Sequence, residues 1–453
     1  MFNRRTMQRM PLFLLMSLLA TGCLIQATPA PRPEHTLEDL DATTMVLGAV
    51  PRAPVPVAPL VQSPSLAAVR TMGSAALDAA APPPSGGRFI YDAKFEPPRG
   101  RILHGMGNFV PGNTAYLKML GDPAIEPASK LIYAGIGDWP RSWDNRVQML
   151  RADLKHEEDL GRIPHMNVQF FGIDPGTKDV TSVDHDTATT DRYDSRIRDL
   201  AQVIAFHRGP VFLRIGGEFN GEWNGYHPYD YVAAYRKVVA IFREEGADNC
   251  AFVWCYEPSA PPDFDEQDAR GYRWFPGDDV IDWYGIDLFN TEEFTGSGAG
   301  PRGGTVSKYE RMQLFLKMAR EHHKPVMIGE CSPSLEDITA DLQDGRRDWN
   351  SWFVPFLHVL DAHPEIEAFF LINTDWRKTR SANTSDWQRA QLELNSYIGQ
   401  KWIQELRKSR YLHLHDVPLL NGYAEASAPR PPYKGPGPAV PVDAPRGAQK
   451  PAR

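Results

Sequence analysis

Cysteine is scarce in this sequence, with four residues among 453. After Cys23 there are only Cys250, Cys255 and Cys331, and their spacing matches no zinc-binding or haem-attachment pattern. Three thiols cannot all pair internally, which excludes a fold held by a disulfide framework, although one bridge is compatible with an exported protein. We therefore expect neither a metal nor a cofactor.

Positive charge is not in excess either. The 49 lysine and arginine residues are outnumbered by 57 aspartate and glutamate residues, the formal net charge is −8 and the pI is near 5.9. This balance argues against nucleic acid as a partner. A dinucleotide fingerprint is also missing, because residues 105–108 read Gly-Met-Gly-Asn without the third glycine, which disfavours an open doubly wound sheet.

The first 23 residues have the composition of an export signal. Three arginines precede an apolar stretch at 11–20 that is too short for a permanent membrane span. Small residues stand directly before Cys23, which resembles the lipobox of bacterial lipoproteins, where the cysteine is acylated. We predict lipidation at Cys23 in the bacterial cell envelope, with the outer membrane or cell surface favoured because residue 24 is leucine. The alternative is an ordinary signal peptide cleaved near Ala27 or Ala30.

Two segments rich in proline and alanine flank the rest of the chain. Residues 24–88 and 424–453 contain little that a core could bury, so we predict an N-terminal tether and an unstructured C-terminal tail. The intervening residues, 89–423, suit one large domain.

Within this domain, eight apolar runs alternate with helix-length amphipathic segments such as 193–206, 229–245 and 309–322. This alternation predicts a (β/α)₈ barrel of parallel strands rather than an open sheet. The predicted strands are Arg101–Gly107, Lys130–Asp138, Ile163–Phe170, Pro210–Glu218, Ala251–Tyr256, Ile281–Phe289, Pro325–Glu330 and Ile366–Ile372.

Two glutamates, Glu218 and Glu330, end the fourth and seventh of these runs. A parallel barrel builds its active site at the C-terminal ends of its strands, and two facing carboxyl groups there are the minimum equipment for cleaving a glycosidic bond. Strand alternation predicts inward faces made of Phe212, Arg214, Gly216 and Glu218 in the fourth strand and of Val326, Ile328 and Glu330 in the seventh.

The sequence around both glutamates resembles glycoside hydrolase family 26. The motifs are Phe-Leu-Arg-Ile-Gly-Gly-Glu-Phe-Asn-Gly-Glu-Trp at 212–223 and Lys-Pro-Val-Met-Ile-Gly-Glu at 324–330, with further likeness at 277–287 and 369–376. The resemblance covers essentially the whole core and implies a retaining clan A barrel related to β-mannanases. It also implies that Glu218 is the general acid/base and Glu330 the nucleophile.

Two positions depart from that family. The mannanases carry histidine where this chain has Gly217, and a tyrosine that supports the nucleophile where it has Phe289. Mannan specificity is therefore not carried over, and we expect a slow enzyme rather than an inactive one. The chief alternative is a non-catalytic carbohydrate-binding barrel; a polysaccharide lyase or a transglycosylase is a third possibility.

Other residues at the strand ends are candidates for binding substrate. Arg214 could hold Glu330 ionised, and indole rings bind the apolar faces of sugars. Alternation turns Glu257, at the end of the fifth strand, away from Trp254, so we expect no catalytic role for it. The predicted substrate contacts are Arg214, Trp223, Trp254, Asp287, Phe289 and Trp376.

Together these features predict a retaining endo-β-glycoside hydrolase. Its expected substrate is a β-linked polysaccharide: mannan, xylan, glucan or a bacterial exopolysaccharide. The expected partners are that substrate and the membrane, which is reached through the lipid anchor, and we expect a monomer.

Overall fold

The computed structural model describes residues 87–173, 180–269, 271, 273–296, 298–379 and 386–429. The predicted signal at 1–23 with its lipidation site Cys23, almost all of the predicted tether at 24–88, and most of the predicted tail lie outside these residues and stay predictions. Within the described ranges, no helix combines the length and the apolar character that crossing a membrane requires.

The described strands follow the predicted runs closely. They are β1 (Ile102–Met106), β2 (Ser129–Gly135), β3 (Ile163–Gln169), β4 (Phe171–Ile173), β5 (Val180–Ser182), β6 (Val211–Glu218), β7 (Cys250–Tyr256), β8 (Trp283–Leu288), β9 (Val326–Cys331), β10 (Ile366–Leu371) and β11 (Tyr411–Leu412). Each of the eight predicted strands corresponds to one of these. The additional β4 and β5 form a separate antiparallel pair.

Eight of the strands form a closed parallel barrel. Neighbours pair in the order β1, β2, β3, β6, β7, β8, β9, β10, and β10 pairs with β1 to complete the ring. The short β11 adds to the outer edge of β1 at the lower end. The predicted (β/α)₈ fold is confirmed, and the closure excludes the open doubly wound alternative.

Helices surround the barrel, and several of them begin where the sequence supplies a capping side chain or a proline. The α-helices are α1 (Val110–Leu120), α2 (Trp143–Leu160), α3 (Asp184–Thr189), α4 (Asp194–Phe206), α5 (Pro228–Glu244), α6 (Thr291–Thr295), α7 (Lys308–Glu321), α8 (Leu342–Asp348), α9 (Val354–Ala362), α10 (Ser396–Leu406) and α11 (Tyr423–Ala426). Ser142 caps α2 and Asn395 caps α10 through their side-chain oxygens. Proline starts α5, a position where its missing N–H costs nothing.

One of these helices sets the shape of a barrel strand. Tyr231 of α5 is fully buried and its hydroxyl donates to the carbonyl of Ile215 in β6 at 2.9 Å. A Cβ on Gly216 would lie 2.4 Å from this ring, so only glycine fits there. The helix and the strand are thereby locked together directly below Glu218.

An apolar plug fills the lower end of the barrel. Phe212 and Trp283 point inward from their strands and contact each other edge to face at 5.4 Å. Phe95 enters from below and meets Phe212 at 6.0 Å. Its backbone N–H donates to the carbonyl of Asn421 at 3.0 Å, so both ends of the described chain close the barrel floor.

The predicted domain boundary at 423 falls inside this floor. Residues Tyr423–Ala426 form α11, and Ala426 is buried in the same apolar cluster as Phe95. The backbone N–H of Gly209 donates to the carbonyl of Ala426 at 3.1 Å. The folded part of the chain therefore continues past residue 423, because these residues cover apolar surface that the barrel would otherwise expose.

The prediction for the inward face of the seventh strand is wrong in part. Val326 and Ile328 pack outward against the helices, whereas Met327 joins the inner plug. A register shift then follows, because Ile328 pairs with Ile286 while Glu330 pairs with Asp287. This bulge adds one residue and returns Glu330 to the inner face, since an inserted residue reverses the alternation.

Candidate active site

The first predicted carboxyl group, Glu218, lies at the top of β6 after an irregular turn of backbone. Arg214 pairs with Val253 but Glu218 pairs with Cys255, so the strand carries two extra residues between them. Gly216 and Gly217 provide them with φ values of +80° and +63°, which glycine adopts without the strain of a Cβ atom. Arg214 and Glu218 face the barrel interior as predicted, but a Cβ on Gly216 would point outward at Tyr231 of α5, so the prediction that Gly216 faces inward is wrong.

The second predicted carboxyl group, Glu330, is held by two donors. Arg214 donates from Nη1 to Glu330 Oε1 at 2.6 Å, and the Tyr133 hydroxyl donates to the same oxygen. Arg214 is 1% exposed whereas the Glu330 side chain is 12% exposed. The carboxylate is therefore held by donors on one side and partly exposed on the other.

Asp287 lies beneath these groups and does not reach the solvent. It is fully buried at the end of β8, where Arg214 Nη2 donates to its Oδ2 and the Cys255 thiol lies 3.3 Å from its Oδ1. Its position opposite Glu330 in the strand pairing brings a third carboxyl group to the site. Asp287 orients Arg214 rather than contacting a sugar directly.

Three carboxyl groups facing one guanidinium cannot all stay ionised in a buried site. Burial, reinforced by the charge of Glu330, raises the pKa of Glu218 to about 7. Burial also holds the pKa of Asp287 well above its usual range, although Arg214 opposes this shift. Glu218 is therefore the carboxyl group at the cleft that can carry a proton near neutral pH.

Trp223 lies where the sequence placed it, just beyond β6. Its indole Nε1 donates to Glu218 Oε2 at 2.9 Å, and Asn224 Nδ2 donates to the backbone carbonyl of Glu218 at 2.7 Å. Both residues belong to the 3₁₀ turn Glu222–Asn224. This turn fixes the Glu218 side chain and places an aromatic ring beside it.

Phe289 and Trp376 meet in an aromatic cluster above β8 and β10. The ring of Phe289 lies 6.1 Å from Trp376 and 4.6 Å from Trp387, and Trp376 Nε1 donates to Ser332 Oγ at 2.9 Å. Trp376 is 6% exposed, while Trp387 is only partly buried. Trp387, which sequence reasoning missed, is thus the more open ring of the three.

Comparison with known proteins places this site in context. No family model matches the chain. The β-1,3-xylanase TXYA of a Vibrio species is 26% identical over 310 residues, covering 62% of this chain and 63% of that protein. The β-1,3-xylanase of an Alcaligenes species is 29% identical over 255 residues, covering 51% and 50%. The chain therefore spans less than two thirds of the length of either relative.

Two solved structures are also similar to this chain. A GH26 β-mannanase of Bacteroides ovatus is 16% identical, with a TM-score of 0.48 over 70% of this chain and 92% of that one. An endo-β-1,4-mannanase double mutant of Cellulomonas fimi is 16% identical, with a TM-score of 0.49 over 71% and 74%. The chain resembles glycoside hydrolase family 26 at low sequence identity. The barrel itself is established by its own strand pairing.

The local geometry explains why residue 217, which is histidine in the family 26 mannanases, is glycine in this chain. A Cβ on Gly217 would lie 3.3 Å from Gln169 Nε2 and 3.4 Å from Asn167 Nδ2. These amides from β3 occupy the space beside Glu218, and the positive φ of Gly217 disfavours any larger residue. Asn167 is 1% exposed, and neither atom of its amide has a partner among the described residues.

Trp254 is not part of the site, contrary to the sequence-based prediction. It is fully buried on the outer face of β7, where its ring stacks on Phe219 at 4.6 Å and contacts Phe315 at 5.4 Å. No sugar could reach it there. Glu257 does point away from Trp254, as alternation predicts, and this direction brings it toward the site. Burial, together with the charges of Glu293 and Glu218, raises the pKa of Glu257 well above its usual range.

Tyr133 is the main contact that sequence reasoning missed. It lies in the predicted second strand, but nothing in that strand's local pattern distinguishes it from an ordinary inward-facing aromatic residue. Its contact with Glu330 spans 197 residues of sequence. Only the closed ring of strands brings them together.

The described cysteines and metal-ligand residue types form neither a disulfide nor a metal site. The thiols of Cys250, Cys255 and Cys331 are all free and buried. No group of three histidine, cysteine, aspartate or glutamate side chains suited to a metal ion is found in the part of the chain that the structure describes.

Proposed function

We propose that this chain is a retaining endo-β-glycoside hydrolase that acts on a β-linked polysaccharide, with Glu330 as nucleophile and Glu218 as general acid/base. One observation carries the proposal. The Glu330 carboxylate accepts a hydrogen bond from the Arg214 guanidinium, whereas burial and the charge of Glu330 raise the pKa of Glu218 to about 7. One carboxyl group is thus paired with a cation and the other can hold a proton near neutral pH, which is the division of roles that glycoside hydrolysis requires. The retaining course is proposed from the resemblance to glycoside hydrolase family 26.

In the first step, a Glu330 oxygen attacks the anomeric carbon while the bond from that carbon to the leaving oxygen breaks. Glu218 transfers its proton to the leaving oxygen, and a glycosyl ester of Glu330 forms. In the second step, Glu218 takes a proton from water as the water oxygen attacks the same carbon. The ester bond breaks, Glu330 regains its charge, and the configuration of the sugar is retained.

The substrate belongs to the same proposal. Both curated relatives are named β-1,3-xylanases, so β-1,3-xylan is the first polysaccharide to test. A panel of β-1,3-xylan, β-1,4-xylan, β-mannan, β-glucans and bacterial exopolysaccharides, read by reducing-sugar release, identifies the substrate. NMR of the first product then tests the stereochemistry, because an inverted anomer would refute the retaining mechanism.

The nucleophile is tested by rescue. Glu330→Ala should lose turnover, and added azide should restore cleavage of an activated aryl glycoside, giving a glycosyl azide of inverted configuration. The small anion enters the space of the missing carboxylate and attacks the anomeric carbon directly. A residual activity of Glu330→Ala close to wild type would assign the nucleophile elsewhere.

The acid/base role of Glu218 predicts a pH dependence. Glu218 must be protonated to act as an acid, so kcat/KM should fall as pH rises through about 7. Glu218→Gln should remove this alkaline limb for activated aryl glycosides and slow substrates with poor leaving groups by about 10²–10⁴-fold. An alkaline limb that persists in Glu218→Gln would point to another acid.

A non-catalytic carbohydrate-binding barrel is the rival outcome of the same experiments. It would bind oligosaccharides equally well as wild type and as either glutamate variant, with no hydrolysis in any. Failure of purified wild type to cleave the whole panel and activated aryl glycosides, with glycan binding retained, would establish that function instead.

Attachment to the cell envelope is a separate proposal that rests on the sequence before Cys23. Cys23→Ser should abolish acyl labelling and move the protein from the membrane fraction to the soluble fraction. An unchanged membrane fraction in this variant would contradict lipidation at Cys23.

A further inference from the structure

The two donors that hold Glu330 both reach the same oxygen. Arg214 Nη1 and the Tyr133 hydroxyl donate to Oε1, so Oε2 carries neither bond. An oxygen with two donors is a poorer nucleophile than its partner, because its lone pairs and charge are already engaged. The arrangement therefore distinguishes the two oxygens of the carboxylate.

Tyr133 is held in place by the sheet rather than by a loop. It pairs with Asn167 of β3, which in turn pairs with Arg214 of β6, so the three residues form one row across neighbouring strands. The two outer members of this row are the donors to Glu330. Burial and the charge of Glu330 keep the pKa of Tyr133 well above its usual range, so its hydroxyl stays a donor.

The hydroxyl of the sixth barrel strand, that of Tyr284, lies among the outward-facing residues and not at Glu330. The residue after this strand is Phe289, whose ring packs on Trp387 at 4.6 Å and on Trp376 at 6.1 Å. The hydroxyl that contacts Glu330 comes from the second barrel strand instead. The loss at position 289 therefore does not leave the nucleophile unsupported.

We propose that Tyr133 is the positioning residue of the nucleophile and that, together with Arg214, it engages Oε1 so that Oε2 attacks the anomeric carbon. This inference rests on the proposed function. In the covalent intermediate, Oε2 forms the ester bond to the sugar and Oε1 becomes the carbonyl oxygen. When water attacks the anomeric carbon, the bond from that carbon to Oε2 breaks, and the negative charge is shared between Oε2 and Oε1, where the Tyr133 hydroxyl stabilises it.

The test measures the nucleophile directly. Wild type, Tyr133→Phe and Tyr284→Phe are incubated with a 2,4-dinitrophenyl 2-deoxy-2-fluoro-β-glycoside, beginning with the xylobioside, and the rate of covalent labelling of Glu330 is followed by mass spectrometry. Tyr133→Phe should label about 10- to 100-fold more slowly, the effect of removing a hydrogen bond to a charged group. Tyr133→Phe should lower kcat by a similar factor with a smaller change in KM.

Tyr284→Phe is the matched control. Tyr284 lies in a barrel strand and is fully buried among the outward-facing residues, and its hydroxyl has no partner among the described residues. The same atom is removed, so the labelling rate should not change. Thermal unfolding and oligosaccharide binding of all three proteins show whether a slow rate comes from lost folding.

The outcomes separate the two proposals. Normal labelling and kcat in Tyr133→Phe, with wild type labelled at Glu330, would overturn the role of Tyr133 and leave the glycosidase assignment intact. Slow labelling that merely follows a loss of folded protein would also overturn it. If wild type itself is neither labelled nor active on the glycan panel, the proposed function fails first.

Discussion

The two ends of the barrel are built from the same eight strands but have opposite interiors. The lower end is apolar: Phe95, Phe212 and Trp283 fill it, and chain segments from both sides of the domain close it. The upper end holds Arg214 among three carboxyl groups, of which Glu218 and Glu330 are partly exposed and Asp287 is fully buried. The lower end supplies the stability that the upper end, with its buried charges and left-handed glycines, does not.

The same eight strands thus provide both a stabilising apolar core and a charged site. Inward side chains at the bottom of a parallel barrel bury apolar area, which stabilises the fold. At the top of the barrel, the inward-pointing side chains are charged and lie in a region of low dielectric, where the charges interact strongly but lose their solvation. Substitutions at the lower end should therefore reduce stability alone, whereas substitutions at the upper end should also reduce activity.

The largest effect is expected at the upper end, from Arg214→Met. This change would leave Asp287 and Glu330 without their shared cation, and breaking a buried pair of this kind costs about 3–5 kcal/mol of unfolding free energy. Activity should also be abolished, because Glu330, the proposed nucleophile, loses its anchor. Urea denaturation and an aryl-glycoside assay on the folded fraction measure the two losses.

The control for this prediction is Arg236→Met. Arg236 makes a bidentate ion pair with Asp279 at 2.8 and 2.9 Å, but on the surface. Exposed pairs of this kind contribute about 0–1 kcal/mol, so stability and activity should both stay close to wild type. An equal loss in the two variants would contradict the contrast between buried and exposed arginines.

At the lower end, Phe95→Ala should reduce stability alone. Phe95 is 2% exposed and packs edge to face on Phe212, and truncating a buried phenylalanine costs about 3–5 kcal/mol. Activity per folded molecule should not change, because the cavity forms within the apolar plug at the lower end, away from the carboxyl groups at the upper end. Phe206→Ala, at a phenylalanine that is 49% exposed, should change stability by roughly 0.5 kcal/mol or less. Lost activity in folded Phe95→Ala would show that the ends are coupled.

The smallest effect concerns the backbone at Gly217. Gly217→Ala and Gly246→Ala both place a Cβ on a left-handed residue, with φ of +63° and +72°, and each should cost about 1–2 kcal/mol. Only Gly217→Ala should also lower kcat, since its Cβ would press on the Gln169 and Asn167 amides beside Glu218, whereas a Cβ at Gly246 meets nothing within 4 Å. Equal activity in both variants would remove Gly217 from the site.

The strands were predictable because their signals are local. Each apolar run that the sequence predicts as a strand forms one, and the helices at 194–206, 228–244 and 308–321 begin and end within a residue of the predicted bounds. Burial of continuous β-branched and aromatic runs needs no knowledge of distant residues. The position of Glu218 and Glu330 at strand ends follows from the same pattern.

The faces were less predictable because bulges interrupt alternation. Alternation assigned Val326 and Ile328 to the interior, but they pack outward and a shift in pairing with β8 turns Glu330 inward. The prediction that Trp254 contacts substrate is wrong because its ring packs outward against Phe315 of a covering helix. A register is a property of two strands, so one strand's sequence does not contain it.

The sequence by itself determined the order of strands and helices, the barrel class and the two carboxyl groups at the strand ends, because apolar periodicity and chain order act locally. Tertiary structure decided which donors reach Glu330, since the bond from Tyr133 exists only when the ring of strands closes. It also raised the pKa of Glu218, because desolvation and the neighbouring charge of Glu330 arise only once distant strands have packed together.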